Sequence, residues 1–231
     1  MKNIVVIALT VTFAVIIGVR PVPAADSHEA QEAVKAPVYK PPMRGAPGGR
    51  VGGGTRGIGD LATITVLAPD HVGLTANPQP SLFWSLSKPI SMRMEFALNE
   101  PQNPKPIFEI TIKTPLDAGI HSINLTDYGI TLKPGKQYEW FVAIVPDPAQ
   151  RSSDIMAGGF LEYITASKPL QDKIAKAGKN ELSAIYAEEG IWYNAVSSLS
   201  DLITANPNDK SLIEQRVALL KQVGLKDIDS Q

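Results

Sequence analysis

Across residues 60–165 apolar and polar side chains alternate with a period of two, and that period dictates sheet. Ala62, Ile64, Val66 and Ala68 interleave with Thr63, Thr65 and Leu67. The pattern repeats with Leu82, Trp84 and Leu86, then Met92, Met94, Phe96 and Leu98, then Phe108, Ile110 and Ile112. Ile123 with Leu125, residues 138–145 and residues 159–164 supply three more segments. Each reads as a half-buried strand, one face inward and one toward water. Turn residues separate them, among them Pro69 with Asp70, Ser87 to Pro89, and Lys133-Pro134-Gly135. Seven short strands with turns at this spacing predict a two-sheet β-sandwich.

Leu132, Lys133, Pro134, Gly135, Lys136, Gln137 and Tyr138 resemble the tyrosine corner of fibronectin type III-like domains. There a tyrosine opening the sixth strand bonds back to nearby backbone. Trp84 resembles the core tryptophan of the same fold. The expected fold is therefore mainly β with α: a fibronectin type III-like seven-stranded sandwich over residues 60–165, then a helical region over residues 166–231.

The helical region starts where the period changes. Pro169 suits the first turn of a short helix carrying Leu170 and Ile174 and ending near Gly178. Leu182, Ser183, Tyr186, Gly190, Ala195, Leu199 and Pro207 then fall at the offsets of one tetratricopeptide-like helical hairpin. Lys179 stands where that repeat carries a large aromatic. After Pro207, Ile213, Val217 and Leu220 share one face of a closing helix. Solenoids need at least ~3 stacked repeats, so a lone hairpin must bury its apolar face on the sandwich or on a partner.

Ahead of the strands lies a different kind of sequence. Lys2 precedes an uncharged apolar run over residues 4–19, too short to span a bilayer at ~20 residues. Val22 and Ala24 fit the small-residue pattern of signal-peptide cleavage, giving a signal peptide at residues 1–24. Residues 25–59 are rich in proline and glycine, bury little apolar area, and read as a flexible arm. These features predict export to the periplasm or beyond, with no membrane span after cleavage. The chain has no cysteine, so disulfides, a lipoprotein anchor and thiolate metal sites are excluded. Cleavage removes Lys2 and Arg20, leaving 20 basic side chains against 23 acidic ones. That balance lacks the basic footprint of a nucleic-acid binder.

Several segments occur together in one order: Gly52 to Gly57, Leu132 to Trp140, Arg151-Ser152-Ser153-Asp154, and Gly190-Ile191-Trp192-Tyr193-Asn194-Ala195. In these the chain from about residue 43 to residue 225 is similar to the bacterial family called domain of unknown function 928. The resemblance implies an exported bacterial protein and carries no reaction, ligand or catalytic residue.

Candidate chemistry is sparse. Gly52, Gly54 and Gly57 satisfy the dinucleotide fingerprint, but a proline- and glycine-rich arm precedes them and a strand follows, so chance agreement explains them. His28, His71 and His121 sit at no metal-ligand spacing. No cofactor or metal is expected. The segment from Asp147 to Asp154 joins the last two strands and is the best loop for a binding site, through Arg151, Ser153 and Asp154. The simpler account of it is an Arg151–Asp154 ion pair closing the loop. Glu188 and Glu189 read as a solvated helix end. Trp192 shares an apolar stripe with Ala195, Leu199 and Leu202 and belongs to the core, as do Trp84 and Tyr138, with Gly190 structural. Tyr193 shares its face with Ser197, Ser200 and Thr204 and reads as a partner contact.

The sequence thus points to a non-catalytic periplasmic binding or scaffold module whose partner is another envelope protein. The alternatives are a hydrolase of envelope material built on the Asp147 to Asp154 loop, and an accessory domain of an envelope sensor or export complex.

Overall fold

A computed structural model describes residues 36–42, 49–52, 62–101, 103, 105–226 and 228. The signal peptide, His28 and most of the glycine motif, including Thr55 and Arg56, lie outside the described residues. All described residues belong to one compact unit, Val34–Gln231.

That unit mixes β and α. Its strands are β1 (Ile64–Val66), β2 (Gly73–Thr75), β3 (Ser81–Leu86), β4 (Arg93–Asn99), β5 (Phe108–Ile112), β6 (Gly119–Asn124), β7 (Gln137–Val145) and β8 (Ile155–Tyr163). Its helices are α1 (Lys168–Lys176), α2 (Lys179–Glu188), α3 (Trp192–Ala205) and α4 (Lys210–Lys221). One sheet runs β1-β3-β6 and the other β2-β8-β7-β4-β5. All pairings are antiparallel except β2 with β8.

The alternation works as the period requires. Leu82, Trp84 and Leu86 from the smaller sheet and Met94, Phe96, Leu98, Trp140 and Val142 from the larger one all enter one buried cluster. Each such side chain contributes roughly 1.5–3 kcal/mol by leaving water. Eight strands are described where seven were expected. The additional one, β2, is three residues long, too short to show a period, and it exists by pairing in parallel with β8.

On β3 the expected outward residues Phe83 and Ser85 are buried as well. α3 packs against β2 and β3, and Trp192, Ala195, Val196 and Leu199 of that helix join the sheet cluster. The change of period near residue 165 therefore marks a change of secondary structure within one continuous core.

Local chemistry fixes the helix ends. The Ser167 hydroxyl accepts from Leu170 N–H at 3.4 Å, with Pro169 in the first turn of α1. Glu181 Oε2 accepts from Gly178 N–H at 2.7 Å at the start of α2. Asp209 Oδ1 accepts from Ser211 N–H at 2.9 Å at the start of α4. Among the described residues no helix is long and apolar enough to cross a membrane.

Candidate functional site

The loop from β7 to β8 brings Arg151 and Asp154 together, with Arg151 Nε donating to Asp154 Oδ2 at 2.8 Å. It also brings a residue that no local spacing announces. Glu95 of β4 accepts from Arg151 Nη2 at 2.6 Å and Nη1 at 3.2 Å, and from Arg93 Nε at 2.7 Å. Both edges of the Arg151 guanidinium are thus taken by carboxylates of the chain itself. The Arg151 hydrogen bonds hold the Glu95 carboxyl below its ordinary value, with Arg93 adding to the effect. The same bonds raise Arg151. Ser153 does not join them; its hydroxyl donates to Gln150 O at 2.7 Å. Asp147 is likewise local, accepting from Ala149 N–H at 2.9 Å. A carboxylate clamped between two guanidinium groups is ionised at neutral pH and is neither a proton donor nor an effective base.

Trp84, Tyr138 and Trp192 are buried. The Tyr138 hydroxyl accepts from Lys133 N–H at 2.9 Å. Trp192 Nε1 donates to Leu67 O at 2.8 Å, tying α3 to the end of β1. Gly190 has φ +72°, and a Cβ there would lie 2.7 Å from Lys40 O. His121 is satisfied at its strand edge by Asp117 O at 2.8 Å. Glu188 and Glu189 are exposed, and both reach Lys173 Nζ, at 3.5 and 3.6 Å.

Tyr193 requires a correction. It is 2% exposed, so it offers no surface to another protein. Its hydroxyl accepts from Trp140 Nε1 at 3.0 Å and donates to Phe160 O at 2.9 Å. Of the small polar side chains sharing its face, Ser200 is buried too, whereas Ser197 is half-buried and Thr204 exposed. Burial raises the Tyr193 phenol well above its ordinary value, so it stays neutral.

The arm also differs from a free tether in its described parts. Tyr39 N–H donates to Gln222 Oε1 at 2.8 Å, and Lys40 N–H to Ala187 O at 3.0 Å. The Tyr39 ring meets Trp192 edge-on with centroids 4.9 Å apart. Further along, Val51 forms an antiparallel bridge with Gly158 through bonds of 2.9 and 3.1 Å.

Between these docked stretches, the loop after β1 and the end of α4 lies a cleft of about 320 Å³. Its walls include Tyr39, Arg50, Asp70, His71 and Gly224. The Tyr39 hydroxyl and His71 Nε2 are 2.9 Å apart, and His71 Nδ1 and Asp70 Oδ1 are 3.2 Å apart. The tautomer with its proton on Nδ1 satisfies both, donating to Asp70 and accepting from Tyr39. Burial raises the Tyr39 phenol, with the Asp70 charge adding, so Tyr39 remains a neutral donor. Arg50 Nη1 donates to Ala68 O at 3.2 Å and to Val223 O at 3.4 Å. Burial lowers the Arg50 guanidinium, and Asp70 partly offsets this. Sequence reasoning missed this group because its members come from positions 39, 50, 70, 71 and 224, which no motif links.

Among the described residues no cluster of three or more histidine, aspartate or glutamate side chains is arranged to hold a metal ion. A search of curated proteins finds no match. The model of the family described as Domain of Unknown Function (DUF928) matches residues 51–231, and the chain belongs to that family.

Proposed function

We propose that this protein is an exported, non-catalytic binding or scaffold module acting on another component of the bacterial envelope. The observation that carries this reading is the mutual neutralisation of Arg93, Glu95, Arg151 and Asp154 at the loop best placed for a site. Hydrolysis needs a group poised to exchange a proton near neutral pH. Glu95 is instead held ionised.

The finer assignment is a fibronectin type III-like sandwich joined to a tetratricopeptide-like hairpin. It is supported by the three-stranded and five-stranded sheets, the Tyr138 to Lys133 bond, and Trp84 in the core. The Ser183 hydroxyl, donating to Ala195 O at 2.8 Å between α2 and α3, supports the hairpin. Export with cleavage after Ala24 rests on the uncharged apolar run and the small residues that follow it.

The test is a panel of ester, phosphate and glycoside substrates offered to the purified protein. The proposal expects turnover indistinguishable from buffer, unchanged in Arg151→Ala and Asp154→Ala. Turnover that disappears in Asp154→Ala overturns it.

A further inference from the structure

A guanidinium group presents two edges to planar anions, and the chain itself shows what both edges take. Arg151 gives its Nε to Asp154 and its two terminal nitrogens to Glu95. Arg50 is different. Its Nη1 is spent on two backbone carbonyls, Ala68 O and Val223 O. Among the described residues no hydrogen bond engages its Nε or its Nη2, which together form the side-on edge with two parallel N–H groups. Arg50 lines the cleft, beside Asp70.

Two features hold this edge in place, and a third leaves it open. A Cβ on Gly49 would lie 3.2 Å from Asp70 O, so the chain passes close over the loop after β1. Val51, on the other side, is bridged to Gly158. Gly224, with φ +78°, leaves room beside Nη2, since even a Cβ there would stand 4.0 Å away. A partly desolvated cation with no carboxylate of the described residues in contact is unfavourable, and an incoming planar anion relieves it.

Asp70 selects which anion. Its carboxylate is 79% exposed and is oriented through Oδ1 by His71, which Tyr39 fixes in turn. Negative charge beside Arg50 disfavours a phosphate dianion and favours a ligand that brings its own cation. The volume suits something small. We propose that this cleft binds a small zwitterion, an amino acid or short peptide, with its carboxylate on the Arg50 side-on edge and its ammonium on Asp70. This ligand deepens the binding-module reading and rests on it for its role.

The probe is glycylglycine titrated into the isotope-labelled full chain, followed by NMR at the Arg50 side-chain Nε–H and the Gly224 amide. Saturable shifts at both are expected. N-acetylglycylglycine and glycylglycinamide should each bind about tenfold more weakly, because each loses one charge-assisted contact. Inorganic phosphate should give no saturable shift. Arg50→Gln should abolish binding. Arg50→Lys, which keeps the charge without the parallel N–H pair, should weaken it if Arg50→Gln does not fold. Asp70→Asn should bind glycylglycine and its acetylated form alike. No saturable shift with glycylglycine, equal binding of either blocked peptide, or saturable binding of phosphate overturns the proposal. Such a failure with the substrate panel silent removes the ligand and leaves the module. Turnover in that panel removes the module whatever binds here.

Discussion

The indole N–H of Trp140 donates to the Tyr193 hydroxyl at 3.0 Å, joining the middle of the larger sheet to the first turn of α3. The same hydroxyl donates a hydrogen bond to Phe160 O at 2.9 Å on the neighbouring strand. One phenol therefore satisfies a donor and an acceptor on two strands, the first buried and the second partly buried, and fixes the angle at which the helices meet the sheet.

Tyr193→Phe keeps the ring and removes both bonds. The Trp140 N–H left unpaired in the core costs about 1–3 kcal/mol, and the partly buried Phe160 O adds to it. Urea denaturation should show a loss of roughly 2–4 kcal/mol for the pair. A change below about 0.5 kcal/mol would mean the two bonds do not form in solution.

Gly73 is the reverse side of the same seat. A Cβ there would stand 2.7 Å from Tyr193 Cε2 and 3.2 Å from the Pro69 ring. Gly73→Ala should push the tyrosine away from Trp140 and destabilise the protein by about 1–3 kcal/mol, the range for overpacking. Combined with Tyr193→Phe, its cost should add less than fully, because both changes disturb one contact.

Glu95 makes stability depend on acid. Its folded value lies below its ordinary 4.5, because the ionised form holds Arg151 and Arg93. The contribution is present above that ordinary value and is lost as pH falls through the lower, folded one. Glu95→Gln should cost on the order of 1–2 kcal/mol at neutral pH, a figure reduced for the half-exposed arginines. Stability curves of the two proteins, measured against pH, should converge in acid. Parallel curves would contradict the clamp.

Gly190→Ala should release the arm. The new Cβ would collide with Lys40 O, at 2.7 Å, in a backbone conformation with φ +72° that alanine resists. Chymotrypsin should then cut after Tyr39, which is 7% exposed in the intact protein. Equal protection of both proteins would show that the docked stretch does not depend on this glycine.

Legibility followed the range of the contacts. Strands announced themselves because alternation is local, while Trp84 and Tyr138, both buried, were singled out by their resemblance to the core tryptophan and the tyrosine corner. β2 was not visible, since Gly73, Leu74 and Thr75 are strand only through the partner β8. Tyr193 was misassigned because a helical period gives the side of a helix and not what covers it. Serines at positions 197 and 200 make that side look wet, yet Ser200 and Tyr193 are both buried. The Arg151–Asp154 pair could be read from its spacing, and Glu95 could not, being 56 residues from Arg151. The Arg50 cleft is assembled from still more distant pieces. Nothing local joins Tyr39 to Gln222.

Sheets, helices and docked arm must form one cooperative body, because α3 shares the core of the sheets and the cleft is walled by the arm, the loop after β1 and the end of α4. The most direct test follows unfolding in urea by tryptophan fluorescence and by helical circular dichroism on the same samples. The account predicts a single transition with coincident midpoints, shifted together by Tyr193→Phe. Helical signal lost well before the tryptophan environment changes would show that the hairpin is a separate unit, and would contradict it.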